Sequence, residues 1–284
     1  MNYYLHKPVQ WFFTEYRFKF QTYWFKNLLY LFLIMKAVGW LWSYDLYFGE
    51  SAVIYSNNFQ VSSFKDCAFL LYASASPWLG YLFLVTLLLL CLVRLKFKKP
   101  WFLPDLLIWF LVLNLSNKVY AALTGGDYLL NQLLFFNCFL SAIFGVNGKF
   151  YSDLKIFLHN LAVLAVMLQV CIVYFLSALA KINDPEWLSG AAVYDISLIN
   201  HYNLYGYARA TPGSHPLMIF LTYLILYYQL LFPVIIWIKT LKKPFIMIGL
   251  AMHLYIVLVM GLVEFGLIML LCYIYFWPIR KTIA

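Results

Sequence analysis

The chain has 284 residues, of which 65% are hydrophobic, 21% aromatic and 11% charged, with a formal net charge of +9. An ordinary soluble domain is about 25% charged, and a soluble fold of this size has no single core able to hide so much apolar surface. A basic balance can mark a nucleic-acid or a membrane partner, but the charges sit almost wholly in short breaks between apolar runs, which points to the membrane and away from nucleic acid.

Residues 8–26 read PVQWFFTEYRFKFQTYWFK. Phe13, Tyr16, Phe20 and Tyr23 recur at helical spacing, with Arg17 and Lys19 elsewhere on the wheel, as in an amphipathic helix lying in the membrane interface. The alternative is an early extension of the first spanning helix. A cleaved signal peptide is not expected, because the first long apolar run starts only near Asn27 and no small-residue cleavage motif follows. A spanning helix needs roughly 20 mostly apolar residues. Candidate spans are 27–47, 77–95, 101–119, 128–147, 156–181, 217–238, 245–262 and 266–279. The last two are short and share a small turn around Gly261 and Gly266. They form a tight hairpin, or one of them stops short of crossing. The predicted fold class is therefore an all-α polytopic membrane helix bundle, with about eight transmembrane helices plus the N-terminal interfacial helix in a single domain over 1–284.

Basic residues enriched in cytoplasmic loops orient such a map. With the N-terminus inside, the cytoplasmic segments hold Lys7, Arg17, Lys19, Lys26, Arg94, Lys96, Lys98, Lys99, Lys149, Lys155, Lys239, Lys242, Lys243, Arg280 and Lys281, while the opposite side holds Lys65, Lys118 and Arg209. Both termini are predicted cytoplasmic. Most acids fall on the other face, where loops 48–76 and 182–216 are long enough to build a site.

Charges at membrane depth are expensive and so stand out. Lys36 lies in mid-span; buried structural pairing and a role in a site are both open for it. His253, also in mid-span, is a core histidine, a proton relay or a substrate contact. Asn114, Asn131, Gln132, Asn137 and Gln169 read as amides joining helices. The five cysteines, Cys67, Cys91, Cys138, Cys171 and Cys272, form no C-x-x-C pair and read as small buried apolar residues. The five histidines show no metal-ligand spacing, so no metal is expected. No nucleotide-binding loop and no serine-hydrolase elbow is present.

The densest polar stretch is YFLSALAKINDPEWLSGAAVYD, residues 174–195. Tyr174, Ser177 and Lys181 share one helix face. Asp184-Pro185 then breaks the helix, and Trp187 is placed to anchor the interface. Lys181 either snorkels to that interface or serves a site, and it stands on the face that otherwise lacks basic residues.

Tyr174-Phe175, Lys181, the acidic turn Asp184 to Glu186, Trp187 and Gly190 together resemble the hallmark segment of the vitamin K-dependent gamma-carboxylase-like family, the HTTM membrane domains. HLYIVLVMGLVEFGLIML, residues 253–270, is similar to the family's final membrane segments, and LTGGDYLL, residues 123–130, to a G-G-D of bacterial members. HNLAVLAVMLQVCIVYF, residues 159–175, with His159, Asn160 and Gln169, resembles the short branch that matures secreted sporulation-delaying peptides.

The resemblance implies a reduced quinone of the vitamin K type as cofactor. In the carboxylases a membrane lysine acts as base on it, oxygenation follows, and a proton is removed from a glutamate side chain that then captures carbon dioxide. Lys181 aligns with that lysine. Tyr174, Ser177 and His253 would be supporting catalytic groups, and Trp187, Gln169 and Lys36 would border the cofactor. A lysine acts as a base only when neutral. This chain departs from the pattern at Ala180, where the carboxylases carry a second lysine, and near Gly126, which has no histidine. It also ends soon after the membrane region, so a propeptide-binding domain is not expected. The reading is an integral protein of the bacterial cytoplasmic membrane that performs quinol-linked or peptide-modifying chemistry at its outer face. Its partners would be membrane lipid and a secreted peptide or extracytoplasmic protein. The alternative is a non-enzymatic subunit that binds a lipid, quinone or peptide partner.

Overall fold

The computed structural model describes residues 10–49, 52, 77–97, 101–119, 122–140, 149–199, 202 and 216–277. Most of the expected loop 48–76, most of 200–215 and both chain ends lie outside the described residues, and with them His6, Cys67, His201 and His215. The described chain is helical: α1 (Lys19–Trp42), α2 (Tyr44–Tyr47), α3 (Pro77–Lys96), α4 (Phe102–Lys118), α5 (Gly125–Phe139), α6 (Lys149–Ile182), α7 (Pro185–Ser189), α8 (Ala192–Leu198), α9 (Pro216–Ile235), α10 (Lys239–Leu258) and α11 (Val263–Cys272), followed by a 3-10 turn over Tyr273–Tyr275.

Among the described residues, five helices are long and apolar enough to cross a membrane: Lys19–Trp42, Trp78–Lys96, Ser152–Ile182, Pro216–Ile235 and Lys239–Leu258. Large apolar side chains on them face outward; Leu82, Leu89, Phe220 and Val234 are each more than half exposed. Water would not tolerate such faces, and lipid solvates them, so the chain has the character of an integral membrane protein. The expectation of about eight spans is not met by the described residues. The α4 helix has 17 residues and carries the buried acid Asp105 in its first turn. The α5 helix has 15 residues, and residues 141–147 of the expected span 128–147 are outside the described chain. The α11 helix has only 10 residues before it tightens into the 3-10 turn.

The chain divides into two compact units, Met1–Val163 and Leu164–Ala284, and the division falls within α6. In the first unit α1 packs on α3, α3 on α4, and α4 on α5. Three ion pairs on two carboxylates tie these helices together. The Asp105 carboxylate accepts from Arg94 Nε at 2.7 Å and Nη2 at 3.2 Å, from Lys26 Nζ at 2.9 Å and from the Tyr30 hydroxyl at 2.6 Å. Lys26 also donates to the Leu140 carbonyl at 3.0 Å, close to the C-terminal end of α5. Farther along α1, Lys36 Nζ lies 2.7 Å from Asp127 Oδ1 and 4.5 Å from the centre of the Trp40 ring. The other Asp127 oxygen accepts from Thr124 N–H and Oγ1–H, which caps α5. Thus the G-G-D stretch opens a helix, and its acid is also the counter-ion of Lys36.

The expected interfacial helix over 8–26 is cut in two. Lys19–Lys26 belong to α1, so this part is the early extension of the spanning helix. Residues 10–13 form a separate helical turn, and Phe18, with φ of 54°, breaks the path between them. The cause lies on α6. Asn160 Nδ2 donates to the carbonyls of Phe12 at 3.0 Å and Glu15 at 2.9 Å, while its Oδ1 accepts from Arg17 N–H at 2.8 Å. His159 Nε2–H donates to the Arg17 carbonyl at 2.7 Å. These contacts satisfy backbone groups that a continuous helix would have bonded internally.

Asp105→Ala removes the carboxylate that Arg94 and Lys26 share, and breaking a buried pair costs about 3–5 kcal/mol. The detergent-solubilised variant is expected to melt well below the wild type in differential scanning fluorimetry. An unchanged midpoint would contradict the ionic clamp.

Candidate functional site

The second unit holds the segment with the densest polar chemistry. The α6 helix ends at Ile182 after presenting Tyr174, Ser177 and Lys181 along one face. Asp184 then caps the short α7, accepting the Glu186 N–H at 2.9 Å, with Pro185 at the first helical position. Gly190 ends α7 with φ of 86°, a left-handed backbone that side-chain-bearing residues seldom adopt. Three hydrogen bonds strap this turn to α9. Thr222 Oγ1–H donates to the Gly190 carbonyl at 2.9 Å, the Val193 N–H donates to Thr222 Oγ1 at 3.2 Å, and the Tyr223 hydroxyl donates to the Leu188 carbonyl at 2.7 Å.

Lys181 stands where α6 meets this turn. Its Nζ donates to Ser177 Oγ at 2.8 Å and lies 4.8 Å from the centre of the Trp187 ring. Trp187, expected to anchor the interface, is a buried residue, 9% exposed, that packs with Ala192 and Leu226, so it is a wall beneath the amine. The fold of the turn explains the difference: the strap to α9 carries the indole inward. Lys181 is half-buried and keeps donors beyond the one given to Ser177.

A second cluster lies deeper along the same helix. The Tyr174 hydroxyl is 2.6 Å from His253 Nε2 and 2.6 Å from the Tyr273 hydroxyl, which is 2.7 Å from the Tyr228 hydroxyl. All four side chains are buried, none more than 3% exposed. They converge on α10 at Gly249, where any side chain would collide with the hydroxyls of Tyr273 and Tyr228. Phe232 packs against Tyr174 with ring centres 4.3 Å apart.

The residues predicted for one site therefore sort into separate places. Lys181, Ser177 and Trp187 form one group, and Tyr174 and His253 form another. Tyr174 and Lys181 are seven residues apart, about 10 Å along the helix axis. Gln169 is half-buried on α6 and is joined to neither group by a hydrogen bond among the described residues. Lys36, expected near a cofactor, is held by Asp127 in the first unit. His159 and Asn160 clamp the N-terminal segment. Sequence reasoning missed Tyr228 and Tyr273, whose partners lie 45 to 99 residues away and leave no local pattern. It also missed the Lys36–Asp127 pair, for which a signal existed: Thr124-x-x-Asp127 is a capping-box pattern.

Gly190→Ala is expected to cost about 1–3 kcal/mol, because alanine strains at this φ and its Cβ would meet Ile219 Cγ2 at 2.9 Å. Melting in detergent should fall, and Trp187 emission should shift red as the turn loosens. A variant with wild-type melting and emission would show that the turn is not built as described.

Comparison of the chain with known protein families, with curated proteins and with solved structures finds no match in any of the three.

Proposed function

We propose that this chain is a membrane protein whose working group is Lys181, which meets an apolar, oxygen-bearing ligand at the outer end of α6. The chemistry we favour is quinol-linked or peptide-modifying, with Lys181 as base. The observation that carries this reading is the setting of the amine: half-buried, positioned by a hydroxyl and an indole, at a helix end on the face expected to be poor in cations. Asp184 lies close by, but its carboxylate accepts the Glu186 N–H that starts α7.

These residues fit a reduced quinone of the vitamin K type. A flat apolar ring matches the Trp187 wall, and a phenolic O–H matches an amine with free coordination. When bound, the quinol would supply oxygen-dependent redox chemistry. Ser177 orients the amine, Trp187 excludes water from one side of it, and Lys181 takes the phenolic proton onto Nζ. Tyr174 and His253 would act from deeper in the same unit rather than beside the amine. A peptide or extracytoplasmic protein would approach from the outer face, and lipid surrounds the helices.

One observation favours a second reading, a non-enzymatic subunit that binds the same class of ligand. An amine over an indole face is stabilised in its charged form, and a fixed cation suits recognition better than proton removal.

Arginine stays protonated and cannot act as a base. Purified protein in nanodiscs, given a reduced naphthoquinone and oxygen, is expected to form the epoxide, read by chromatography and mass spectrometry. Lys181→Arg is expected to lose at least about a hundredfold in that rate, since positioned proton transfer contributes roughly 10²–10⁴-fold, while its melting stays near wild type. Turnover retained in Lys181→Arg would defeat the base. Absence of turnover in the wild type, with naphthoquinone binding intact in both proteins, would leave the binding reading.

The orientation is also open to test. In a Cys67→Ser background, an impermeant maleimide added outside intact cells is expected to label Asn183→Cys and not Thr240→Cys. Both positions are exposed, and the four described cysteines are buried. Labelling of position 240 from outside would invert the proposed topology, in which both termini are cytoplasmic.

A further inference from the structure

The Tyr228–Tyr273–Tyr174–His253 chain fixes its own proton arrangement. Each hydroxyl has one hydrogen to donate, and a neutral imidazole has one N–H. Four hydrogens serve three contacts, so every arrangement leaves one hydrogen without an acceptor in the chain. Running toward the histidine, Tyr228 donates to Tyr273, Tyr273 to Tyr174, and Tyr174 to Nε2. Every hydroxyl hydrogen then has an acceptor within 2.7 Å, and the imidazole proton sits on Nδ1. In every other arrangement one hydroxyl hydrogen has no acceptor in the chain, and Nδ1 is in addition left as a bare lone pair. The first arrangement leaves one group unmet, the Nδ1–H. His253 Nδ1 is buried and has no hydrogen-bond partner among the described residues. A buried donor is costly to leave unmade.

We propose that His253 Nδ1–H is the donor of a binding site for a neutral carbonyl oxygen, an ester or ketone carried on an apolar, membrane-soluble molecule. The surroundings select that class. The His253 ring lies 5.9 Å from the Phe265 ring and among tyrosines, so an apolar body is welcome. An anion would be desolvated there without a cation in the cluster to balance it. The tyrosine chain behind the imidazole holds the tautomer that donates. Tyr174, which holds the imidazole, stands about 10 Å along α6 from Lys181, and the site holds whether or not Lys181 reacts.

The test is nitrogen-15 NMR of histidine-labelled protein in nanodiscs of three compositions: diester phosphatidylcholine, diether phosphatidylcholine, and the diether lipid with 2-undecanone. The His253 signals are assigned by their loss in His253→Asn. The proton is expected on Nδ1. Its resonance is expected to move, relative to the diether sample, in diester lipid if a lipid ester fills the site, or with 2-undecanone if a free carbonyl compound does. A proton on Nε2 would overturn the proposal. So would an Nδ1 resonance identical in all three, which is the result a resident water gives. In Tyr174→Phe the Nε2 position loses its donor, and the proton is expected to distribute over both nitrogens. A proton that stays on Nδ1 in that variant would remove the tyrosine chain from the account. The wild-type samples decide the site even if the variant fails to fold.

Discussion

A charge carried into a membrane has no water to solvate it, so it must find its counter-charge within the protein. The first unit is arranged around that constraint. Lys26, Lys36 and Arg94 are met by two carboxylates, Asp105 and Asp127. Lys26 and Lys36 are ten residues apart on α1, about 15 Å. Their contacts on α5 involve Leu140 at one end and Asp127 at the other. Helices α1 and α5 therefore run in opposite directions past each other, pinned at two levels. The excess positive charge around Asp105 is offset by carbonyls at the C-terminal end of α5, where the helix dipole favours a cation. Sliding α1 by one turn would leave charges unpaired, so these contacts set register as well as stability.

The second unit uses a different device. Its buried polar groups are neutral: three tyrosines and a histidine joined in a chain, and a strap of hydroxyls and backbone groups holding α7 to α9. Lys181 sits at the edge of this arrangement, touching a hydroxyl and an indole. Lys36 is locked into a short pair with a carboxylate. Lys181 is positioned without such a lock, which is what a reacting or recognising amine requires. The two lysines look alike in the sequence, both being cations in or beside apolar runs, and their partners separate them.

Much of the fold was legible because the membrane imposes simple rules. Long apolar runs gave α3 and α9 to within three residues at both ends, and they located α1, α6 and α10, which start six to eight residues earlier than expected. α1 starts at Lys19 and extends no farther back because Asn160 and His159, more than 130 residues later, hold the preceding segment in a non-helical path. Lys26 and Arg94 read as orientation signals in the loops, yet they are buried on Asp105. Position in a basic cluster does not reveal a carboxylate on another helix. The shared face of Tyr174, Ser177 and Lys181 was legible from spacing alone. Its division into a tyrosine–histidine chain and a separate amine was not, because Tyr228, Tyr273 and Trp187 reach those side chains through tertiary packing.

Lys36 is sequestered in an ion pair, whereas Lys181 touches only a hydroxyl and an indole among the described residues. Amine reactivity measures this directly. Protein in native membranes is treated with a membrane-permeant, amine-selective acylating reagent, and each lysine is followed by mass spectrometry. The account predicts rapid modification of Lys181 and protection of Lys36, with Lys36 becoming reactive in Asp127→Asn. Modification of Lys36 as fast as Lys181 in the wild-type protein, or protection of Lys181, would contradict it.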